Sequence, residues 1–154
     1  MKRWFLLLTI ILLGAGAKIT HSEREWLEIL GKERFLVMRK KGTEHAHLGK
    51  YTHTQGDGIY ACAACSLPLF EGTEKYDAGN GFPSFKKPMS SKNIYYLEDW
   101  SFSFQRYEVL CRGCDSHLGH VFHDGPPPKH FRYCINSIAL VYTQRDAKFL
   151  GRQK

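Results

Sequence analysis

The chain has 154 residues, of which 43% are hydrophobic and 14% aromatic. That supplies one compact domain, is too little for two comfortable ones, and excludes a largely disordered chain. The formal charge is +7, but apart from Arg39-Lys40-Lys41 and the tail the basic residues are scattered, which argues for solubility and against a nucleic-acid partner.

Residues 1–17 read as a targeting segment. Met1-Lys2-Arg3 is a positive n-region, Trp4 to Leu13 is apolar apart from Thr9, and Ala15-Gly16-Ala17 is a small-residue cleavage signal. The apolar run from Trp4 to Ala17 is 14 residues, short of the roughly 20 that span a bilayer. A cleaved signal peptide is expected, with a short uncleaved N-terminal anchor as the alternative. The protein is therefore expected to be exported, to a periplasm, the exterior or a secretory lumen. Residues 18–154 are expected to form a single domain.

Next in the chain, Ser22-Glu23-Arg24-Glu25 is a capping box. It opens a short helix through Trp26, Leu27, Ile29 and Leu30, with Gly31 as its stop. Arg34 to Met38 is ambiguous between helix and strand. From Tyr51 onward the signals become those of short strands and turns. Gln55-Gly56-Asp57-Gly58 is turn chemistry, and Gly58 to Cys62 leads into a cysteine pair. Asp77 to Gly81 is a small-residue loop closed by Pro83. Trp100-Ser101-Phe102-Ser103-Phe104 alternates with period 2, as a half-buried strand does. Gly125-Pro126-Pro127-Pro128 must be a loop, and Ile138 to Tyr142 reads as a final core strand. The expected architecture is mainly β and antiparallel, with a small helical N-terminus.

Five cysteines fall in an asymmetric pattern. Cys62-Ala63-Ala64-Cys65 and Cys111-Arg112-Gly113-Cys114 are CxxC pairs, and Cys134 stands alone. Four thiolates in two such pairs suit one tetrahedral zinc, although the 45 residues between the pairs exceed the roughly 15–20 of a compact zinc ribbon. Such a closed site has no open coordination position and is structural. A redox CxxC and two disulfides are the alternatives; the first expects a βαβ context that is not apparent. Cys134, close to Arg132 and downstream of His117, His120 and His123, is a candidate nucleophile, since positive charge favours the thiolate. The competing reading is a buried inert thiol. The three histidines match no standard zinc spacing, and each alone is as compatible with a core or surface role.

Taken together these motifs resemble the signature of the methionine sulfoxide reductase B family. The resemblance rests on Cys111-x-x-Cys114-x-x-His117-Leu118-Gly119-His120-Val121-Phe122-x-Asp124-Gly125-Pro126 and on Arg132-Tyr133-Cys134-Ile135-Asn136-Ser137. Upstream, Gly42-Thr43-Glu44, Tyr60-x-Cys62-x-x-Cys65-x-x-Pro68-Leu69-Phe70 and Gly81-Phe82-Pro83-Ser84-Phe85 are similar to further family motifs. It covers about residues 22–142. It implies a small barrel-like fold of two antiparallel sheets with a structural zinc clamp, no organic cofactor, and reduction of the R epimer of methionine sulfoxide, both in proteins and as the free amino acid. By motif, Cys134 would be the nucleophile and pass through a sulfenic acid. His117 and His120 would supply the proton, Arg132 would hold the thiolate and Asn136 would orient the site. Phe82 and Phe122 would wall the substrate pocket.

The chain departs from the family in two places that matter. Phe82 stands where the family usually has Trp, which implies a looser pocket for the sulfoxide methyl group. Asn80 stands where many members have a resolving cysteine, so an external thiol, such as a thioredoxin-like protein, is expected to act directly on Cys134. Ala46-His47 and Lys129-His130 also differ from the usual residues. A monomer is expected. The alternative function is a zinc-stabilised β binding module without catalysis, which would have no need of Cys134.

Overall fold

The computed structural model describes residues 16–54 and 56–145. The segment expected to be a signal peptide or anchor, residues 1–17, therefore lies outside the described residues except for Gly16 and Ala17. Among the described residues no helix is long and apolar enough to cross a membrane.

Ser22 caps the helix that its sequence predicts. The Glu25 N–H donates to Ser22 Oγ, and the Ser22 N–H donates back to Glu25 Oε2 at 2.7 Å. Helix α1 spans Glu23–Met38, but Gly31 (φ 72°, ψ 165°) interrupts it, a left-handed φ that glycine adopts without a Cβ penalty. The expected stop is thus a break between two helical turns, and Arg34 to Met38 resolves as helix. Its apolar side buries Trp26, Leu30, Phe35, Val37 and Met38.

Among the described residues the strands form two antiparallel sheets. The first has the order β2 (Pro68–Glu71), β1 (Gly58–Cys62), β9 (Leu140–Gln144). The second has the order β3 (Lys75–Tyr76), β4 (Ser84–Phe85), β8 (Arg132–Ile135), β7 (His117–Phe122), β6 (Arg106–Cys111), β5 (Ile94–Asp99). Each sheet keeps two edge strands, so the barrel-like expectation is corrected: the sheets pack without closing into a barrel. Between them lie Tyr60, Leu69, Phe70, Phe85, Leu118, Ile135 and Leu140, all buried. Phe70 stacks on Phe85 at 4.4 Å between ring centroids, and Tyr60 meets Phe85 edge-on at 5.1 Å.

One strand expectation fails and another starts two residues late, each for a local reason. Trp100 to Phe104 belongs to the connection between β5 and β6. Asp99 opposite Arg106 is the last rung of that ladder, and the Ser101 N–H donates to Asp99 Oδ1 at 2.9 Å, which turns the chain out of the sheet. The alternation of aromatic and serine there does not follow a pleat. Near the C-terminus, Ser137–Ala139 is a 3-10 turn, and β9 begins only at Leu140.

That turn is held from a distance. The Glu44 carboxylate accepts the Ser137 N–H at 2.5 Å and the Ile138 N–H at 3.0 Å, while the Glu44 N–H donates to Asn136 Oδ1 at 3.0 Å. The loop after α1 is thereby tied to the residues that directly follow β8. Replacing Glu44 by Ala strands both donors, which is expected to lower the unfolding free energy by about 2 kcal/mol. Urea titration beside Glu28→Ala, an exposed helix position, checks this; equal small losses in both would show that the tie is dispensable.

Candidate active site and metal centre

The register of the large sheet draws one row of side chains across it. Ser84 on β4 is opposite Cys134 on β8, Cys134 is opposite His120 on β7, and His120 is opposite Glu108 on β6. One step along, Arg132 is opposite Phe122, and Arg106 is opposite Asp99. Because side chains alternate faces, Arg132 and Cys134 project together from β8, as His120 and Phe122 do from β7.

His117 is three residues before His120 and would fall on the other face of a regular strand. It does not, because β7 carries one extra residue against β6. Gly119 is opposite Val109, whereas His117 is opposite Leu110, and Leu118 lies unpaired between them. The bulge restores the parity, and the two imidazoles meet with ring centroids 5.4 Å apart. Asn136 pins this bulge: its backbone N–H and its Nδ2 both donate to the Leu118 carbonyl, at 2.8 and 3.1 Å.

Cys134 sits in a pocket of about 230 Å³ whose walls include Asn80, Phe82, His120, Phe122, Arg132 and Asn136. Gly119 also lines it, and a Cβ there would lie 2.0 Å from the Cys134 carbonyl oxygen, so only glycine lets β7 and β8 approach this closely. Burial pushes the Cys134 thiol above its ordinary value, against the opposing pull of Arg132 and Asn80. Asn80 Nδ2 donates to Cys134 Sγ at 3.6 Å, and its Oδ1 accepts the Phe82 N–H at 3.2 Å, so the amide is oriented by its own turn. Arg132 is fixed by a bidentate pair with Asp124, at 2.7 and 3.0 Å, and lies 4.4 Å over the Phe122 ring.

His120 is oriented through Asp99. Hydrogen bonds from Ser101 above all, then those from His120 and Arg106, hold the Asp99 carboxyl well below the usual carboxylate range. Asp99 Oδ2 is therefore an acceptor, and His120 donates to it from Nε2 at 2.7 Å. Burial lowers the His120 pKa in spite of Asp99, which leaves a neutral ring at neutral pH with Nδ1 as its free acceptor. His117 faces the adjoining cleft of about 320 Å³, also lined by Lys41, Asp99, Arg106, Glu108 and His120. Its Nδ1 meets Glu108 Oε1 at 2.8 Å, and Glu108 Oε2 accepts from Lys41 at 2.8 Å. Burial alone would raise the Glu108 carboxyl, but these two partners hold it below its ordinary value. His117 Nε2 is buried without a hydrogen-bond partner among the described residues.

The structure thus brings Cys134, His120, Arg132, Asn136, Phe82 and Phe122 around one pocket and sets His117 in the next cleft. Sequence reasoning missed Asp99, Arg106 and Glu108, and read Asn80 only as the loss of a cysteine. The signal for Asp99 and Arg106 was the boundary of the β5–β6 hairpin, hidden by the false strand beyond it.

Away from the residues that line the pocket, the two CxxC turns are built alike. Ser66 and Asp115 each follow a pair with left-handed φ, 64° and 58°. Their N–H groups donate to Cys62 O and Cys111 O, both at 2.8 Å. The four Sγ atoms lie within 4.8 Å of one another, with Cys62–Cys114 at 3.7 Å and Cys65–Cys111 at 3.5 Å. Thiolates about 2.3 Å from a central ion would be about 3.8 Å apart, so these four fit a tetrahedral metal ion. The second turn also anchors α1, since Arg39 donates to Cys114 O at 2.8 Å and lies 4.8 Å over Trp26.

Residues 30–144 match the family described as the SelR domain. The chain is 48% identical over 129 residues to the peptide methionine sulfoxide reductase MsrB of Azotobacter vinelandii, covering 84% of this chain and 97% of the relative. It is 47% identical to the protein of that name from Pseudomonas syringae, covering 84% and 98%, and 46% identical to that from Acinetobacter baylyi, covering 80% and 88%. A cysteine-bearing pocket, a four-cysteine cluster and likeness over nearly the full length of these relatives converge on one conclusion: the chain belongs to the SelR-domain family, with the peptide methionine sulfoxide reductases MsrB.

Proposed function

We infer that this protein reduces methionine sulfoxide in proteins, as the R epimer at sulfur, with Cys134 as nucleophile. The observation that carries the reading is the placement of Cys134 beside Asn80, His120 and Arg132 in a pocket with aromatic walls. Family membership favours this enzyme over a binding module without catalysis.

The environment suggests how the proton moves. The thiol is pushed up and the imidazole opposite it is lowered, so the resting pair is a neutral thiol and a neutral ring. The thiol proton passes to His120 Nδ1, and Asp99 stabilises the imidazolium. The thiolate attacks the sulfoxide sulfur, the sulfoxide oxygen takes the proton from His120, and the oxygen is transferred to Cys134. Methionine leaves and Cys134 remains as a sulfenic acid, oxidised by two electrons. Arg132 and Asn80 stabilise the thiolate, and Asn136 positions β7 against β8. His117, held by Glu108, acts behind His120 as a second polar group of the site. Phe82 and Phe122 enclose the methyl group.

The sulfenic acid needs two thiols to return. The first displaces water and forms a mixed disulfide with Cys134; the second releases the Cys134 thiol and carries away a disulfide. Four of the five cysteines belong to the metal cluster, and Asn80 occupies the place beside Cys134. This supports a thioredoxin-like dithiol acting directly on Cys134. The ion held by Cys62, Cys65, Cys111 and Cys114 is proposed to be zinc, which would cross-link the two turns and supply folding energy only. The 1–17 pattern supports export, and the domain is proposed to act as a monomer.

With dithiothreitol as reductant, only the R epimer should turn over, and Cys134→Ser should lose at least a thousandfold in kcat/KM. Phe82→Trp should raise kcat/KM several-fold by filling the methyl pocket. Turnover of the S epimer, or activity surviving in Cys134→Ser, would overturn the assignment.

Alkylation of Cys134 by iodoacetamide should still be rising above the pH at which an ordinary thiol levels off. Removing the Asn80 donor with Asn80→Ala should move the profile further up and slow alkylation at pH 7.5 by about threefold to tenfold. An unchanged profile would show that the amide does not touch the thiolate.

Native mass spectrometry of the exported chain should show a mass that lacks residues 1–17 and includes one zinc ion. Chelation should then lower the melting temperature, whereas Cys134→Ser should retain the metal. A folded, metal-free chain of equal stability would remove the structural role.

A further inference from the structure

Trp100, Phe102 and Phe104 stand on the loop between β5 and β6 and are 65%, 56% and 56% exposed. Only serines separate them, and none of the three is drawn into the core. The Phe102 and Phe104 rings lie 6.0 Å apart, and the Arg106 guanidinium sits 3.9 Å over Phe102. Trp100 Nε1 donates to Glu98 Oε2 at 3.2 Å. Large aromatic side chains gathered in water mark a surface that is covered in use.

This surface is continuous with the reaction pocket. Trp100 and Phe102 line the 320 Å³ cleft, and that cleft shares Thr43, Arg106 and His120 with the pocket around Cys134. The pocket itself, about 230 Å³, accommodates one sulfoxide side chain. Residues flanking an oxidised methionine in a protein must therefore lie outside it. An extended chain advances about 3.3 Å per residue, so neighbours two or three positions away lie about 7–10 Å along the chain from the oxidised methionine, a reach that a cleft sharing walls with the pocket can meet. Methionine is an interior and interface residue, so segments that expose it when unfolded carry apolar neighbours.

Resting on the reductase reading above, we propose that the β5–β6 loop docks apolar residues flanking methionine sulfoxide in unfolded protein segments. Trp100 and Phe104 lie outside the pocket that holds the sulfoxide, and they set preference among protein sequences without touching the reacting atoms. Two other occupants fit less well. Three partly exposed side chains cover a few hundred Å² at most, less than the roughly 800 Å² per partner of a stable dimer. In this cleft Lys41 and Arg106 are paired with Glu108 and Asp99, and Glu98 adds a further acid, which opposes an anionic lipid surface.

The test compares the full-length protein and a Trp100→Ser/Phe104→Ser variant on three substrates: N-acetyl-methionine-R-sulfoxide, a decapeptide with the R-sulfoxide between leucines and phenylalanines, and one with it between serines. The unchanged protein should favour the apolar peptide over the serine peptide by about tenfold in kcat/KM. The variant should lose that preference and keep the N-acetyl rate within twofold, which also reports an intact fold and site. A preference that survives in the variant would overturn the proposal. So would a loss equal on all three substrates, or self-association or vesicle binding that the variant abolishes while peptide selectivity stays the same. If the unchanged protein turned over none of the substrates, the reductase reading itself would fail.

Discussion

The close pairing of β7 with β8 is the constraint on which the site depends. Cys134 and His120 can share a pocket only because they are direct partners across those strands, and a Cβ at Gly119 would close that approach. The bulge at Leu118 then decides which face His117 joins. Without it, the i, i+3 spacing would send the second imidazole to the far side of the sheet. Asn136 secures this irregular point with two donors to one carbonyl, and Glu44 secures Asn136 in turn. The chain of dependence runs from the loop after α1, through one buried amide, to the relative position of two histidines.

Electrostatics at Cys134 set burial against charge, and burial wins in the resting state. That outcome is compatible with nucleophilic catalysis. A thiol kept protonated until a substrate arrives exposes little thiolate to oxidants, and the proton it releases is the one the sulfoxide oxygen requires. The neighbouring imidazole is suited to carry that proton because its pKa is lowered while an ionised Asp99 waits to stabilise the charged form. Arg132 is only partly spent on the thiol. Its bidentate pair with Asp124 keeps it in place, so its field at Cys134 costs little reorganisation when the thiolate forms.

Much of this was legible in the sequence where chemistry is carried by residue identity at short spacing. The clustered thiols, the lone cysteine, the capping box at Ser22 and the strand entering the first CxxC turn all appear where the residues suggest. What was not legible depends on register. The half-buried strand expected at Trp100 to Phe104 is a loop, because one hydrogen bond to Asp99 ends the ladder and no local pattern announces it. Asp99 and Arg106 then escaped notice, since their role exists only across a rung formed after folding. Glu108 reads as an ordinary strand residue until β6 is placed against a bulged β7. The break at Gly31 was visible, but that helix resumes beyond it depends on Phe35, Val37 and Met38 finding the core.

On the proposed cycle, Asn80 would redirect the return of Cys134 to its thiol. A cysteine beside Cys134 could collapse the sulfenic acid within the chain; an amide cannot. What the amide can do is donate to sulfur, and the Asx turn to the Phe82 N–H leaves its Nδ2 aimed that way. The same loop thus lowers the barrier to forming the thiolate while removing the internal route for reducing what the thiolate becomes. On the proposed cycle an external dithiol would enter by the mouth through which substrate came. Reductant and protein substrate would then compete for one opening.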